Sequence, residues 1–397
     1  MNKKERIDKY GECFTPIELV EEILDQLPKC IWTNPNLKFL DPCAGKGIFL
    51  TRVKERLEVG LEKKIPNINE RKKHIETMLT MVELNPSNVK TLKSIFKNAT
   101  IHQNDFLTMD FGNDKFDVIL ENPPYQAPKK GTYAGSSGNR TLWNKFVLRS
   151  LELSQNGYMC FITPANWRRP EHVLYRTITD RLLYLHIYGK SAGIEKFGVQ
   201  TRFDVYIMSD NIQTKNPVII DEKRVCHTDI NPREWDFLPN YEYKTIQQFL
   251  SKDKESGIKV IYHSSRYDAR LLIKNENENY KYPIIHTLTK KGIGLRFANK
   301  QDPSMFGVSK IILNVNEKQY PINDSTGKYG LTQLSFGIPI HNCAEGDKMI
   351  RCIEGDTFQE IIKATKWGSF QTDYRMFNYF RPDFYNIISS SSKNPTI

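Results

Sequence analysis

Phe116-Asp117-Val118-Ile119-Leu120-Glu121-Asn122-Pro123-Pro124-Tyr125 is an apolar run that ends abruptly in an amide, two prolines and an aromatic ring. An almost continuous apolar stretch of this length suits a strand buried on both faces of a parallel sheet. Open α/β sheets bind ligands in the crevice at the carboxyl ends of their strands. At that place the Asn122 side-chain oxygen and the Pro123 carbonyl offer acceptors, and Pro123 and Pro124 carry no competing N–H. Such a group suits an exocyclic aromatic amine. The lone pair of that amine is delocalised into its ring, and accepting both N–H bonds favours a tetrahedral, nucleophilic nitrogen. Tyr125 offers a stacking face for a planar base, worth about 1–3 kcal/mol. Taken alone, the tetrapeptide equally suits a proline-bounded strand exit with a surface tyrosine.

The upstream sequence breaks that tie. Lys38-Phe39-Leu40-Asp41-Pro42-Cys43-Ala44-Gly45-Lys46-Gly47-Ile48-Phe49-Leu50 reads as a strand, a glycine turn and the start of a helix. Its glycines permit close backbone approach to a ligand at a helix N-terminus. The phosphate-loop pattern and the third glycine of the dinucleotide fingerprint are both absent. Leu79-Thr80-Met81-Val82-Glu83-Leu84 ends in a carboxylate able to accept two ribose hydroxyls. The run from Ala99 to Leu107 ends in Asp105 and Phe106. Three successive strands therefore finish in polar groups suited to an adenosine-containing cofactor.

In this order the motifs resemble those of N6-adenine DNA methyltransferases whose target-recognition domain comes last, including the Eco57I-like restriction-modification methylases. The resemblance covers roughly the first 210 residues. It implies a Rossmann-like S-adenosylmethionine-dependent methyltransferase domain of α/β class, followed by a mixed or β-rich DNA-recognition domain. It also implies that Gly11 to Pro16, with Phe14, Thr15 and Pro16, close over the methionine part of S-adenosyl-L-methionine. Asp41, Ala44, Gly45 and Gly47 belong to the glycine motif, and Glu83 with Leu84 to the ribose site. Asp105 and Phe106 hold the cofactor adenine, and Asn122, Pro123, Pro124 and Tyr125 form the catalytic motif. Phe197, in Phe197-Gly198-Val199-Gln200-Thr201, matches the aromatic that stacks with Tyr125 on the target base, although a phenylalanine before a strand is more often core. The spacing from the glycine motif to Glu83 exceeds the usual interval of about 20 residues, which we read as an insertion in the first crossover spanning Lys54 to Lys73. Lys46 stands where a small residue is commoner and is expected to face solvent.

The chain has 397 residues, 39% of them hydrophobic, and a formal net charge of +11. Its length suits two or three domains and its basicity suits a polyanionic partner, here double-stranded DNA. From Asp236 onward there are 22 Lys and Arg against 17 Asp and Glu, so the excess is shared by both parts. Seven irregularly spaced cysteines point to reduced thiols inside the cell. No zinc spacing, signal peptide or membrane-length apolar run is visible. We therefore expect no metal, no membrane contact, a cytoplasmic location and a monomer, with a cognate restriction endonuclease as the natural partner.

The boundary falls near 240–256, dividing a catalytic domain of residues 1–245 from a recognition domain of residues 246–397, with Ser251 to Gly257 as a linker. Within the second part, Lys366 to Phe370, Tyr374 to Arg381 and Phe384-Tyr385 interleave cations with rings. Most of these rings suit a core. Arg375 and Arg381 suit phosphate contacts. An RNA or protein-glutamine N-methyltransferase, facing the same amine chemistry, is the alternative reading.

Overall fold

The strand ending in Glu121 pairs on both sides with parallel strands, which explains its uninterrupted apolar character. In the computed structural model it is β4 (Phe116–Glu121), and all but Asp117 of its side chains are buried. The structure describes residues 14–127, 140–210, 215–316, 318–368 and 372–387. Two compact units emerge. One comprises the chain up to Trp167 together with Val173–Trp235, and the other comprises Arg168–His172 with the chain from Asp236 onward.

The first unit is built on a nine-stranded sheet. Its strands are β1 (Phe39–Asp41), β2 (Leu79–Glu83), β3 (Thr100–Gln103), β4, β5 (Ser154–Pro164), β6 (Leu182–Tyr188), β7 (Phe203–Ser209), β8 (Val218–Ile220) and β9 (Cys226–His227). They lie in the order β3-β2-β1-β4-β5-β7-β6-β8-β9. The pairings from β3 to β5 are parallel, and β7 runs antiparallel to β5 and to β6. Strand order reverses between β1 and β4, so the carboxyl ends of those two strands open onto the crevice in which such sheets bind ligands.

The expected insertion in the first crossover is a second helix. Helix Ile48–Gly60 is followed by helix Ile68–Thr77, whose N-cap Asn67 accepts from the amides of Asn69 and Glu70. Lys54 reaches Glu76 of that helix at 2.6 Å, and Glu76 also accepts from the Asn98 amide at 2.8 Å. Pairing of Asp41 with Met81 and of Glu83 with Gln103 fixes the register of β2 despite the long crossover. Asn156-Gly157 lies within β5 at an irregularity opposite β4, with Asn156 at φ 52°. Helix Ile17–Gln26 buries Leu19, Val20, Ile23 and Leu24 on the core of this sheet. Its Glu22 accepts from the hydroxyls of Tyr184 and Tyr188 and lies 2.7 Å from His186 Nδ1, which ties the helix to β6.

The second unit contains two three-stranded sheets. The first joins β10 (Tyr282–Thr289), β11 (Gly292–Ala298) and β14 (Gly330–Leu331). The second joins β12 (Lys310–Asn314), β13 (Ile322–Asp324) and β15 (Ser335–Pro339). Helices Tyr243–Phe249, Cys343–Glu354 and Asp356–Ala364 complete a mixed α/β unit. The stretch Ser251 to Gly257 is part of this unit, and Ser251 donates from its amide to the Tyr379 carbonyl at 2.8 Å. The division between the units falls instead at Trp235/Asp236. Phe358, Phe377, Phe380 and Phe384 are buried against one another, so most of the C-terminal rings are core. Ser369 and Phe370, residues 128 to 139 and the terminal serines lie outside the described residues.

Candidate active site

The loop after β1 is fastened to the end of β2. Gly45 donates its amide to Glu83 Oε2 at 2.7 Å, the Ala44 amide reaches the Val82 carbonyl at 3.1 Å, and Glu83 Oε1 accepts from Asn85 at 2.6 Å. Gly47 occupies the N-cap of helix Ile48–Gly60 at φ 83°, a left-handed conformation that favours glycine. A Cβ there would lie 2.7 Å from Leu92 Cδ2, so the position is also sterically reserved.

Two distant segments meet at this loop. Asn122 Nδ2 donates to Thr15 Oγ1 at 3.1 Å, while the Cys43 thiol donates to the Asn122 carbonyl at 3.4 Å. Phe14, Thr15, Asp41, Ala44, Gly45 and Asn122 are among the residues lining a cavity of about 240 Å³. Because Nδ2 is given to Thr15, the side-chain oxygen of Asn122 is left buried and without a hydrogen-bond partner among the described residues. An orphaned amide oxygen costs roughly 1–3 kcal/mol unless a ligand donates to it. Lys46 is exposed, and its ammonium sits 5.0 Å from the centroid of the Phe14 ring. Pro16 occupies the N-cap of the following helix, while Gly11, Glu12 and Cys13 lie outside the described residues.

Two carboxyls beneath this site are fully buried. Burial raises Asp41 to about 8, an effect reinforced by Glu83 and opposed by the Cys43 amide. Burial likewise raises Glu121 to about 8, opposed by the Ser150 hydroxyl and reinforced by Asp41. Both therefore carry a proton at neutral pH, an unusual state for strand-end acids. The sequence reading did not single out Glu121, which looks there like the last residue of an apolar strand. Burial and the nearby acids also push the Cys43 thiol well above its ordinary range, which suits a packing residue rather than a nucleophile.

This arrangement of glycine loop, strand-end acid and Asn-Pro-Pro-Tyr was compared with known proteins. Residues 48–188 match the Eco57I restriction-modification methylase family. The chain is 28% identical to an uncharacterized adenine-specific methylase of Mycoplasma pneumoniae, over 44% of this chain and 60% of that one. It is 29% identical to the type II methyltransferase M.VspI of a Vibrio species, over 46% of this chain and 45% of that one. The chain thus spans about half the length of these curated relatives. Among solved structures, the type IIL restriction-modification enzyme MmeI in complex with DNA covers the whole chain and 73% of its own, at 12% identity and TM-score 0.57. The type ISP enzyme LlaBIII bound to DNA covers 85% of this chain and 35% of its own, at 12% identity and TM-score 0.51. The fold is therefore that of a restriction-modification methyltransferase.

Other residues expected from the Eco57I-like pattern are placed less closely. Glu83 and Leu84 end β2 without lining the cavity, and Leu84 is half exposed. Asp105 Oδ1 accepts from the Leu107 amide at 3.0 Å, and the Phe106 ring is buried against Phe111 and Phe146. Tyr125 is half-buried, and its carbonyl accepts from Leu142 at 3.1 Å. Phe197 ends helix Lys190–Phe197 and packs edge-on against Phe203 at 4.9 Å while remaining partly exposed. In the second unit, Arg375 is paired with Asp373, and Arg381 is paired with Asp383. Both pairings were visible as an acid two residues from each arginine. Among the described residues no helix is long and apolar enough to cross a membrane, and Cys30, Cys43, Cys160, Cys226, Cys343 and Cys352 are free thiols.

Proposed function

We propose that this chain is a site-specific, adenine-specific DNA methyltransferase that methylates N6 of an adenine turned out of duplex DNA. The observation that carries this reading is the Thr15 to Asn122 hydrogen bond, which commits the amide nitrogen and leaves the amide oxygen as an acceptor on the cavity beside the glycine loop. S-adenosyl-L-methionine, when bound there, supplies an electrophilic sulfonium methyl group. The residues present fit it. Gly45 and Gly47 let the chain approach closely, Glu83, which also holds the Gly45 and Asn85 amides, is assigned to the ribose hydroxyls, and Asp105 with Phe106 to the adenine end. Phe14, Thr15 and Pro16 cover the methionine end.

Turning the base out costs a few kcal/mol. Asn122 Oδ1 and the Pro123 carbonyl accept its two amino protons, Pro124 keeps the turn rigid, and Tyr125 and Phe197 flank its ring. No general base is needed before transfer, because the methylated nitrogen sheds its proton readily afterwards. Positioning supplies most of the rate. Arg375 and Arg381 of the second unit hold phosphates, and that unit selects the sequence. We further propose that the chain acts as a monomer in the cytoplasm beside a cognate restriction endonuclease.

Labelled methyl transfer offered duplex DNA, structured RNA and a protein extract tests this reading. Label entering DNA at adenine supports it, and label entering only RNA or protein overturns it. Asn122→Ala should abolish methylation while keeping cofactor affinity, and full turnover in that variant sinks the assignment. Single-molecule sequencing of DNA from expressing cells reads the target sequence.

A further inference from the structure

Arg169 is a half-buried guanidinium in the second unit, and its Nε is buried without a hydrogen-bond partner among the described residues. A cation removed from water in this way ordinarily finds an anion. The nearest acid acting on it is Asp373, and that carboxylate is already taken. Arg375 grips it through the backbone amide at 3.1 Å, through Nε at 2.7 Å and through a second guanidinium nitrogen. Arg375 moreover acts on Arg169 as a like charge. Burial first, then Arg375, holds the Arg169 guanidinium below its ordinary range. The same two arginines, after burial, push His172 down to about 4, so it is neutral at neutral pH. Glu171, the other acid of this segment, pairs with Lys254.

The crowding is held in place by the backbone. Arg168, fully buried, donates to the carbonyls of Leu238 and Pro239 at 3.0 and 3.1 Å and to Asn240 Oδ1 at 2.9 Å. That anchors residues 168–172 in the second unit, where Arg169 and Arg375 act on one another as like charges. Tyr374, next in sequence to Arg375, stacks its ring on Tyr262 at 3.8 Å. Two arginines kept together with one shared carboxylate lack one negative charge. A planar guanidinium with open donors matches phosphate oxygens well.

We propose that Arg169 and Arg375, with His172 beside them, form a subsite on the second unit for a phosphodiester of duplex DNA. This rests on the reading of the chain as a DNA methyltransferase and adds Arg169 and His172, which the motifs did not reveal, to Arg375. A phosphate there completes the charge.

The test is the salt dependence of binding of the full chain to a short mixed-sequence duplex, with cofactor affinity measured separately. Each phosphate contact contributes about 0.9 to the slope of log affinity against log salt. Arg169→Gln should lower that slope by about 0.9, weaken binding evenly across sequences and leave S-adenosylmethionine affinity unchanged, while Arg169→Lys keeps the slope. In wild-type protein the His172 ring, followed by NMR, should titrate at higher pH once duplex is bound. A wild-type slope in Arg169→Gln, or a His172 titration unmoved by duplex, overturns the subsite and leaves the methyltransferase reading standing. A wild-type chain that ignores duplex DNA and methylates RNA or protein overturns both.

Discussion

Ser150 donates to Glu121 Oε1 at 2.7 Å, while the other oxygen of that carboxyl is buried with no partner among the described residues. The bond ties helix Trp143–Leu153 to the strand end that carries Asn122. A carboxylate so enclosed and half-satisfied keeps its proton.

The pH dependence of stability follows from that proton. Glu121 and Asp41 are raised from ordinary values of 4.5 and 3.8 to about 8. For an acid whose folded value is raised, the native state holds more protons than the unfolded state in the interval between the two values. Stability is then full below the unfolded value and falls as pH rises toward 8, by about 1.4 kcal/mol per pH unit for each group. Glu121→Gln keeps the Ser150 bond and removes one group's share. Chemical denaturation across this interval should give a visibly shallower decline for the variant, and an unchanged slope would show that Glu121 is ionised in the native state.

Thr15→Val removes the acceptor that fixes the Asn122 amide. Losing one hydrogen bond of about 1.4 kcal/mol corresponds to about tenfold in kcat. We expect that loss with little change in KM for DNA, and Thr15→Ser should restore the rate. A raised KM at constant kcat would instead make Thr15 a binding residue.

Gly45 and Gly47 should respond differently to alanine. At Gly45, φ is 53° and a Cβ would meet nothing within 4 Å, so only left-handed backbone strain of about 1–2 kcal/mol is incurred. At Gly47, with φ 83°, the added carbon also meets Leu92 Cδ2 at 2.7 Å and Phe96 at 3.0 Å, which adds about 1–3 kcal/mol. Thermal denaturation should rank Gly47→Ala well below Gly45→Ala, and equal melting temperatures would contradict the steric account.

Lys310 is fully buried and donates to Asp324 at 2.8 Å and to the Met305 and Val308 carbonyls at 2.8 and 3.2 Å. Lys310→Met leaves Asp324 charged and buried, at a cost of about 3–5 kcal/mol. Hydrogen exchange of β12 and β15 should accelerate accordingly. Protection that survives in this variant would mean that Asp324 is satisfied by the Lys328 and Tyr329 amides alone.

Much of the first unit could be read from its residues because parallel central strands write themselves as short apolar runs. The run Phe116 to Glu121 coincides with β4, and Leu79 to Glu83 with β2. The motifs that follow β1 and β4 fall at the sheet's switch point for the same reason. What stayed hidden depends on contacts between residues far apart in sequence. The Thr15 to Asn122 bond closes 107 positions, and nothing local to Glu121 signals that both faces of its carboxyl are enclosed. The second unit was hard to read because its strands are short and its sheets join segments out of sequence order, such as β14 beside β10. The pairing of Arg375 with Asp373 and of Arg381 with Asp383 was legible and went unread.

The pentapeptide Arg168–His172 sets a limit on modularity. A graft made only at Trp235/Asp236 would import a foreign second unit and leave Arg168 with none of its native acceptors at Leu238, Pro239 and Asn240. Exchanging second units between relatives therefore requires two coordinated splices, and recombination at a single crossover would yield chimaeras that fold poorly. The second unit of such a lineage is expected to diverge by point substitution more readily than by exchange as a whole.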